Sequence, residues 1–182
     1  MSVSILRFSI IDYPFASLAQ TVLGVEELGS LHLRPDLVGI FWLDMMNKCR
    51  DELALHFDIF EGVYKKFANH MQQQLGLNHS KLGYQTPPTF RVHPVGARTA
   101  SVPHRDRDYA KGSKFINVWV PLVNVSATNS LWVERDKDSE LEPVQLNYGE
   151  ALVFNGYDVL HGSVVNTSTM TRVSFDMRYY TE

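Results

Sequence analysis

Hydrophobic residues change their spacing near residue 80 of the chain. Before it, Leu53, Phe57, Phe60, Tyr64, Phe67, Met71 and Leu75 recur every three or four positions, the period of one helical face. Gly76 stands where a glycine closes a helix just past its C-cap. Upstream, Val38, Phe41, Met45, Cys49 and Leu53 predict another amphipathic helix starting near Asp36, and SILRFSII reads as a candidate strand. After TPPTF the pattern turns to short alternating runs broken by Gly, Pro, Asn and Asp. The candidate strands are Phe90–His93, Phe115–Val123, Ser130–Glu134, Ala151–Phe154, Val159–Val165 and Arg172–Tyr180.

A helical first half and an antiparallel-looking second half predict a mainly β chain with an N-terminal helical part, its helices packed on one face of a sandwich or barrel. No repeat, low-complexity tract or linker interrupts it. The expectation is one domain over 1–182, with 1–80 as mostly helical support and 81–182 as the β core. In TRVSFDMRY, Arg172, Ser174, Asp176 and Arg178 share one strand face, and Val173, Phe175, Met177 and Tyr179 share the other. In FINVWVPL, Phe115, Asn117 and Trp119 oppose Ile116, Val118, Val120 and Leu122. Such faces fit an outer sheet with one wet side. They fit equally a jelly roll whose mixed faces line a polar interior pocket.

Composition narrows the class to a globular protein, with 45% apolar and 20% charged residues. A net charge of −3 and a pI near 6.1 argue against a nucleic-acid partner, which calls for a basic face. Cys49 is the only cysteine, which excludes an intrachain disulfide and a zinc–thiolate cluster and suits a reducing compartment. MSVSILRFSIIDYPF has no basic stretch leading into a long apolar run, and no window approaches the roughly 18 apolar residues of a membrane span. The expectation is a cytoplasmic protein with a small-molecule substrate and no membrane or nucleic-acid partner; the oligomeric state is left open. Asn-x-Ser/Thr triplets at Asn78, Asn124 and Asn166 read as chance.

The chemistry-bearing residues lie in the second half. His104 and Asp106, in PHRDRDY, point to one face of an extended segment, about 7 Å apart at the backbone. They converge on a metal only if a third ligand arrives from another strand. A second His-x-Asp, His56 and Asp58, falls in the helical half, where residues two apart diverge. There Asp58 and Glu61 read instead as a capping box opening a helix. His161, in DVLHGSVVN, is the candidate third ligand, with Gly162 leaving space beside it. Alone it reads as a hydrogen-bonded core histidine. Two histidines and one carboxylate on one side of an ion, the other positions open, are the arrangement of non-haem Fe(II) oxygenases. Eleven positions after His161, Arg172 offers a planar fork for a carboxylate, and Ser174 shares its face. The alternative is a surface ladder in which Arg172, Asp176 and Arg178 pair with neighbouring strands.

In order, HRDRDY, NVWVPL, NSLWVE, GEALVFNG, LHGSVVN and TRVSFDMR resemble the iron and 2-oxoglutarate dependent oxygenases. Within them the blocks are similar to a small bacterial branch related to phytanoyl-CoA hydroxylase, which includes a protein encoded among streptomycin biosynthesis genes. The resemblance covers about Arg91 to Arg178; the helical half matches only in general character. It implies a double-stranded β-helix (jelly roll, cupin-like) with helices packed on one sheet. It also implies His104, Asp106 and His161 as Fe(II) ligands, and 2-oxoglutarate chelating the metal with its far carboxylate held by Arg172 and Ser174. Dioxygen is then the co-reactant, and a small molecule is oxidised with release of succinate and CO2. Asp106 disfavours halogenation, because related halogenases carry a small residue there.

Asn117 on the cosubstrate side, and Trp119, Trp132, Glu134 and Arg105 on the substrate side, are further pocket candidates; ordinary sheet packing accounts for the strand residues equally well. Arg178 is the alternative clamp. A cupin-like metal protein that isomerises, lyses or binds a small molecule is the competing class, and Arg172-x-Ser174 favours the oxygenase over it. A protein or peptide hydroxylase differs in substrate rather than chemistry. Arg105, Arg107, Asp108, Lys111 and Lys114 place both charge signs near the expected pocket mouth, which suits a small zwitterionic or hydroxyl-rich metabolite better than an acyl chain. The alternative is that they only solubilise the turn.

Overall fold

The computed structural model describes residues 3–77, 83–98, 101–109, 114–137 and 139–181. The Asn78 triplet and Lys111 lie outside them. Strand β1 (Ser4–Arg7) is followed by helices α1 (Phe15–Leu23), α2 (Trp42–Leu55) and α3 (Phe57–Gln74), then by strands β2 (Thr89–His93), β3 (Lys114–Pro121), β4 (Trp132–Glu134), β5 (Leu141–Pro143), β6 (Glu150–Phe154), β7 (His161–Gly162) and β8 (Arg172–Thr181). Helix and strand contribute almost equally. The expected mainly β chain is therefore a mixed α/β one, with helices beside two antiparallel sheets.

The apolar stripe of α3 buries Phe60, Tyr64, Phe67, Ala68 and Met71. Its end is closed as the sequence predicts. Gly76 adopts φ +64°, its N–H donates to Gln73 O, and the Leu77 N–H donates to Gln72 O, the paired bonds of a Schellman motif. The expected start of α2 near Asp36 is corrected. Residues 35–40 form turns, Gly39 takes φ +81°, and the helix begins at Trp42, leaving Val38 and Phe41 exposed while Met45, Cys49 and Leu53 are buried. Asp36 instead pairs with Arg34 and Lys48. The capping-box expectation is corrected too. α2 runs into α3 through His56 alone, so Asp58 is already helical and no side-chain cap bond forms.

The larger sheet has the order β1-β6-β3-β8-β2 and the smaller β5-β4-β7. β8 is central to the arrangement. Its Val173, Phe175, Met177 and Tyr179 are buried, and the Phe175 ring meets Phe15 of α1, Tyr64 and Phe67 of α3, and Phe90 of β2. The Tyr179 hydroxyl donates to Ala68 O of α3. The helices thus cover one face of this sheet, and the alternate residues of β8 are turned to the other. The N-terminal part also adds β1, paired with β6 from Ser4↔Val153 to Arg7↔Glu150. The strand expected over Val159–Val165 is regular only at His161–Gly162, while α1 and β5 carry no signal strong enough to be read beforehand. No described helix is long and apolar enough to cross a membrane.

Candidate metal centre

Against the uncovered face of the large sheet lies a cavity lined from both sheets. Arg91, Asn117, Trp119, Phe154, Arg172, Asp176 and Arg178 come from the large one, His161 from the small one, and His104 and Asp106 from the connection between β2 and β3. Period-two alternation explains the lining: Arg172, Asp176 and Arg178 of β8, and Asn117 and Trp119 of β3, are the mixed faces read from the sequence.

The segment carrying His104 is fixed to the strand carrying His161. Each backbone N–H donates to the other residue's carbonyl, at 2.9 and 3.0 Å. Gly162 allows this approach, since a Cβ there would lie 2.7 Å from Pro103 Cα. The imidazoles of His104 and His161 stand with ring centroids 4.6 Å apart. Nδ1 of His104 is 2.8 Å from Val102 O, and Nδ1 of His161 is 2.9 Å from Val159 O. A carbonyl accepts only, so both rings carry a proton on Nδ1 and turn Nε2 inward.

Asp106 is 5% exposed. Its Oδ1 lies 3.3 Å from His104 Nε2 and 3.8 Å from His161 Nε2, while its Oδ2 accepts from Asn117 Nδ2 at 3.0 Å. One ligand atom from each of His104, Asp106 and His161 falls within 4.8 Å of the others, the only such group of histidine, cysteine and carboxylate found among the described residues. His56 and Asp58 form no such group. Burial lowers the His161 pKa, which favours the neutral imidazole that a metal requires.

Arg172 closes the buried end of the cavity, with 2% of its surface exposed. Its Nη1 donates to Asn129 O and its Nη2 to Ser163 Oγ, both at 3.1 Å; its Nε is buried without a partner, and no ion pair is formed with it among the described residues. Burial lowers its pKa to about 10, with Asp176 acting against the shift. It therefore remains a cation at neutral pH, over the Trp119 ring at 5.5 Å. Ser174 is fully buried with Oγ unpartnered, on the same face as Arg172 but outside the cavity lining.

The substrate-side candidates divide. Trp119 lines the cavity; Trp132, Glu134 and Arg105 do not. The Trp132 indole N–H donates to Ala127 O. Arg105 is ion-paired with Glu134 and also donates to Asp158 O, and Glu134 accepts from the Leu160 N–H at 3.0 Å. That pair ties the residue between His104 and Asp106 to the residue before His161, so it braces the two segments that carry these three side chains. The loop charges are likewise engaged locally: Arg107 approaches Asp158 at 3.6 Å, and Asp108 accepts from the Arg105 N–H at 3.1 Å. The ladder alternative expected Asp176 to pair with a neighbouring strand without naming its partner, and Gly156 went unread in the sequence. Arg91 grips Asp176 at 2.8 Å at the cavity edge, and Gly156 faces Asp106 and Asn117. Asp176 was on the right face; its partner lies on another strand.

No family model matches the chain. Among solved structures it is similar to apo ThoJ, a non-heme monooxygenase, with TM-score 0.55 and 16% identity over 99% of this chain and 75% of that one. It is also similar to EvdO2 from Micromonospora carbonacea var. aurantiaca, with TM-score 0.56 and 11% identity over 72% of this chain and 65% of that one. At these identities the likeness shows a shared fold, and three other matched structures are covered over only 42–47% of their own length. In sequence, the chain is 33% identical to streptomycin biosynthesis protein StrG of Streptomyces griseus over 173 residues, 95% of this chain and 82% of that protein. An agreement of that extent, reaching through the helical part as well as the strands, makes this chain a member of the StrG family.

Proposed function

We propose that this protein is an Fe(II)- and 2-oxoglutarate-dependent dioxygenase of the jelly-roll type, in the branch related to phytanoyl-CoA hydroxylase, which hydroxylates a small polar metabolite in the cytoplasm. The observation that carries the reading is Arg172: a buried guanidinium without a carboxylate partner among the described residues, in the same cavity as two inward-turned Nε2 atoms and a carboxylate. Burying an unpaired cation is costly, and a carboxylate ligand resolves that cost. A metal protein with no acidic cosubstrate has no use for such a group, which disfavours the cupin-like alternative.

His104, Asp106 and His161 would hold the ion and leave its other positions open. Arg172 would bind the far carboxylate of 2-oxoglutarate, with its unpartnered Nε as a donor and the Trp119 ring beside it. When bound, Fe(II) and 2-oxoglutarate together supply an oxidant made from dioxygen, with succinate and CO2 as co-products. The chain's own work is to orient these groups, and its apolar Leu131 and Phe154 limit water in the cavity. StrG is a streptomycin biosynthesis protein, which supports a small-molecule substrate in biosynthesis. The test is proton NMR of the iron-loaded protein with 2-oxoglutarate in air. Succinate should form in wild type and not in Arg172→Ala; succinate at equal rates in both would count against this reading.

A further inference from the structure

We propose that Arg178 binds an anionic group of the substrate, so that the molecule oxidised carries a carboxylate or a phosphate ester; this rests on the function proposed above. The cavity has two ends. Arg172 closes one. At the other, the side chains of Arg91, Asp176 and Arg178 keep 38%, 22% and 31% of their surface exposed. That end admits a ligand from outside.

Arg178 sits there beside the metal-binding carboxylate. Its Nη2 lies 3.9 Å from Asp106 Oδ1, well beyond the roughly 2.7–2.9 Å of a charge-assisted hydrogen bond. Its Nε is buried without a partner, and the Phe115 ring beneath the guanidinium, at 4.8 Å, restrains its direction. Asp176, two residues away on the same face, is held by Arg91 Nε at 2.8 Å.

Charge balance points the same way. Among the described residues the cavity is lined by three arginines and two aspartates, an excess of one positive charge. A divalent cation and a dianionic cosubstrate enter together and leave that excess unchanged. Arg91 is matched by Asp176, Arg172 by the far carboxylate, and Asp106 by the metal. Arg178 is left with only its 3.9 Å contact to Asp106, whose charge the metal takes. An oxyanion docked on its fork would set the neighbouring C–H bonds of the substrate next to the open side of the His104–Asp106–His161 group, which is where oxidation has to occur.

The experiment uses the full chain loaded with Mn(II) and 2-oxoglutarate, which does not turn over, titrated calorimetrically with inorganic phosphate and, separately, with acetate. At least one should bind saturably without displacing 2-oxoglutarate, and which one binds separates a phosphate from a carboxylate substrate. Arg178→Gln should weaken that binding about tenfold or more, Arg178→Lys should retain most of it, and both should keep wild-type affinity for Mn(II) and 2-oxoglutarate. The proposal is overturned if neither anion binds, if Arg178→Gln binds it unchanged, or if the anion competes with 2-oxoglutarate. It is also overturned if Arg178→Gln loses Mn(II) instead, which would make Arg178 a brace for Asp106. Failure of the wild-type protein to bind 2-oxoglutarate sinks the parent function first, and the charge balance with it.

Discussion

Asn117 donates its side-chain amide to Asp106 Oδ2 at 3.0 Å, and this bond decides which carboxylate oxygen faces the two histidines. With Oδ2 occupied, Oδ1 is the atom turned toward His104 and His161. Gly156 makes the bond geometrically allowed, because a Cβ there would fall 2.4 Å from both Asn117 Nδ2 and Asp106 Oδ2. Groups that orient a ligand in this way typically contribute about 10–100-fold to metal affinity. Gly156→Ala and Asn117→Leu should each weaken Mn(II) binding by about that factor, measured by electron paramagnetic resonance, while circular dichroism stays that of the wild type. Unchanged affinity in both variants would show that Asp106 needs no such holder.

Arg172 should govern the cosubstrate and not the metal. Truncating one partner of a buried charge pair costs about 2–5 kcal/mol, so Arg172→Ala should lose most 2-oxoglutarate affinity in isothermal titration. Arg172→Lys keeps the charge without the fork and should fall between. Mn(II) affinity should be the same in all three proteins.

How much of this was legible beforehand depended on distance along the chain. The alternation in Arg172–Arg178 was readable because each strand residue reports its own face, and the structure turns Arg172, Asp176 and Arg178 of that face into the cavity. The pairing of His104 with Asp106 was local, and His161 was singled out only in combination with those two. The Arg105–Glu134 brace was not readable: its members are 29 residues apart and meet only once β4 is folded beside the ligand-bearing segment. Gly156 went unread, because what it meets belongs to two other parts of the chain. At the start of α2 the apolar spacing of Val38 and Phe41 continued the helical period, and the turn at Gly39 overrode it. α2 and α3 share one stripe across His56, so periodicity alone hid the break.

The Arg105–Glu134 pair should act on stability before it acts on chemistry. Glu134 is buried and Arg105 nearly so, with side chains 3% and 14% exposed. Removing one member breaks a buried ion pair, at a cost of about 3–5 kcal/mol. Glu134→Leu should therefore lower the urea midpoint sharply, and Arg105→Met with Glu134→Leu should recover much of the loss. A double variant as unstable as the sum of the singles would show that the two side chains do not act as a pair.

His93 provides a pH signature. It is fully buried in register with Arg172, and burial followed by the arginine's charge lowers its pKa to about 3. The unfolded chain takes up this proton as pH falls through about 6.5, whereas the folded one resists until much lower. The stability it confers is thus complete above about pH 6.5 and lost progressively as pH falls toward 3. Between pH 6.5 and 5 the loss from this one group is about 2 kcal/mol. His93→Phe should flatten the dependence of urea-derived stability on pH by about that amount over this interval, and an unaltered slope would assign the acid sensitivity to other groups.

The central claim, that one cavity holds Fe(II) and 2-oxoglutarate together, is met most directly by anaerobic titration of the iron-loaded protein with 2-oxoglutarate, followed in the visible range. The account predicts a weak charge-transfer band that grows to saturation in wild type and in His56→Ala, is absent in His161→Ala, and needs far more 2-oxoglutarate in Arg172→Ala. Iron that binds tightly while 2-oxoglutarate produces no band, or a band that survives unchanged in His161→Ala, would contradict it.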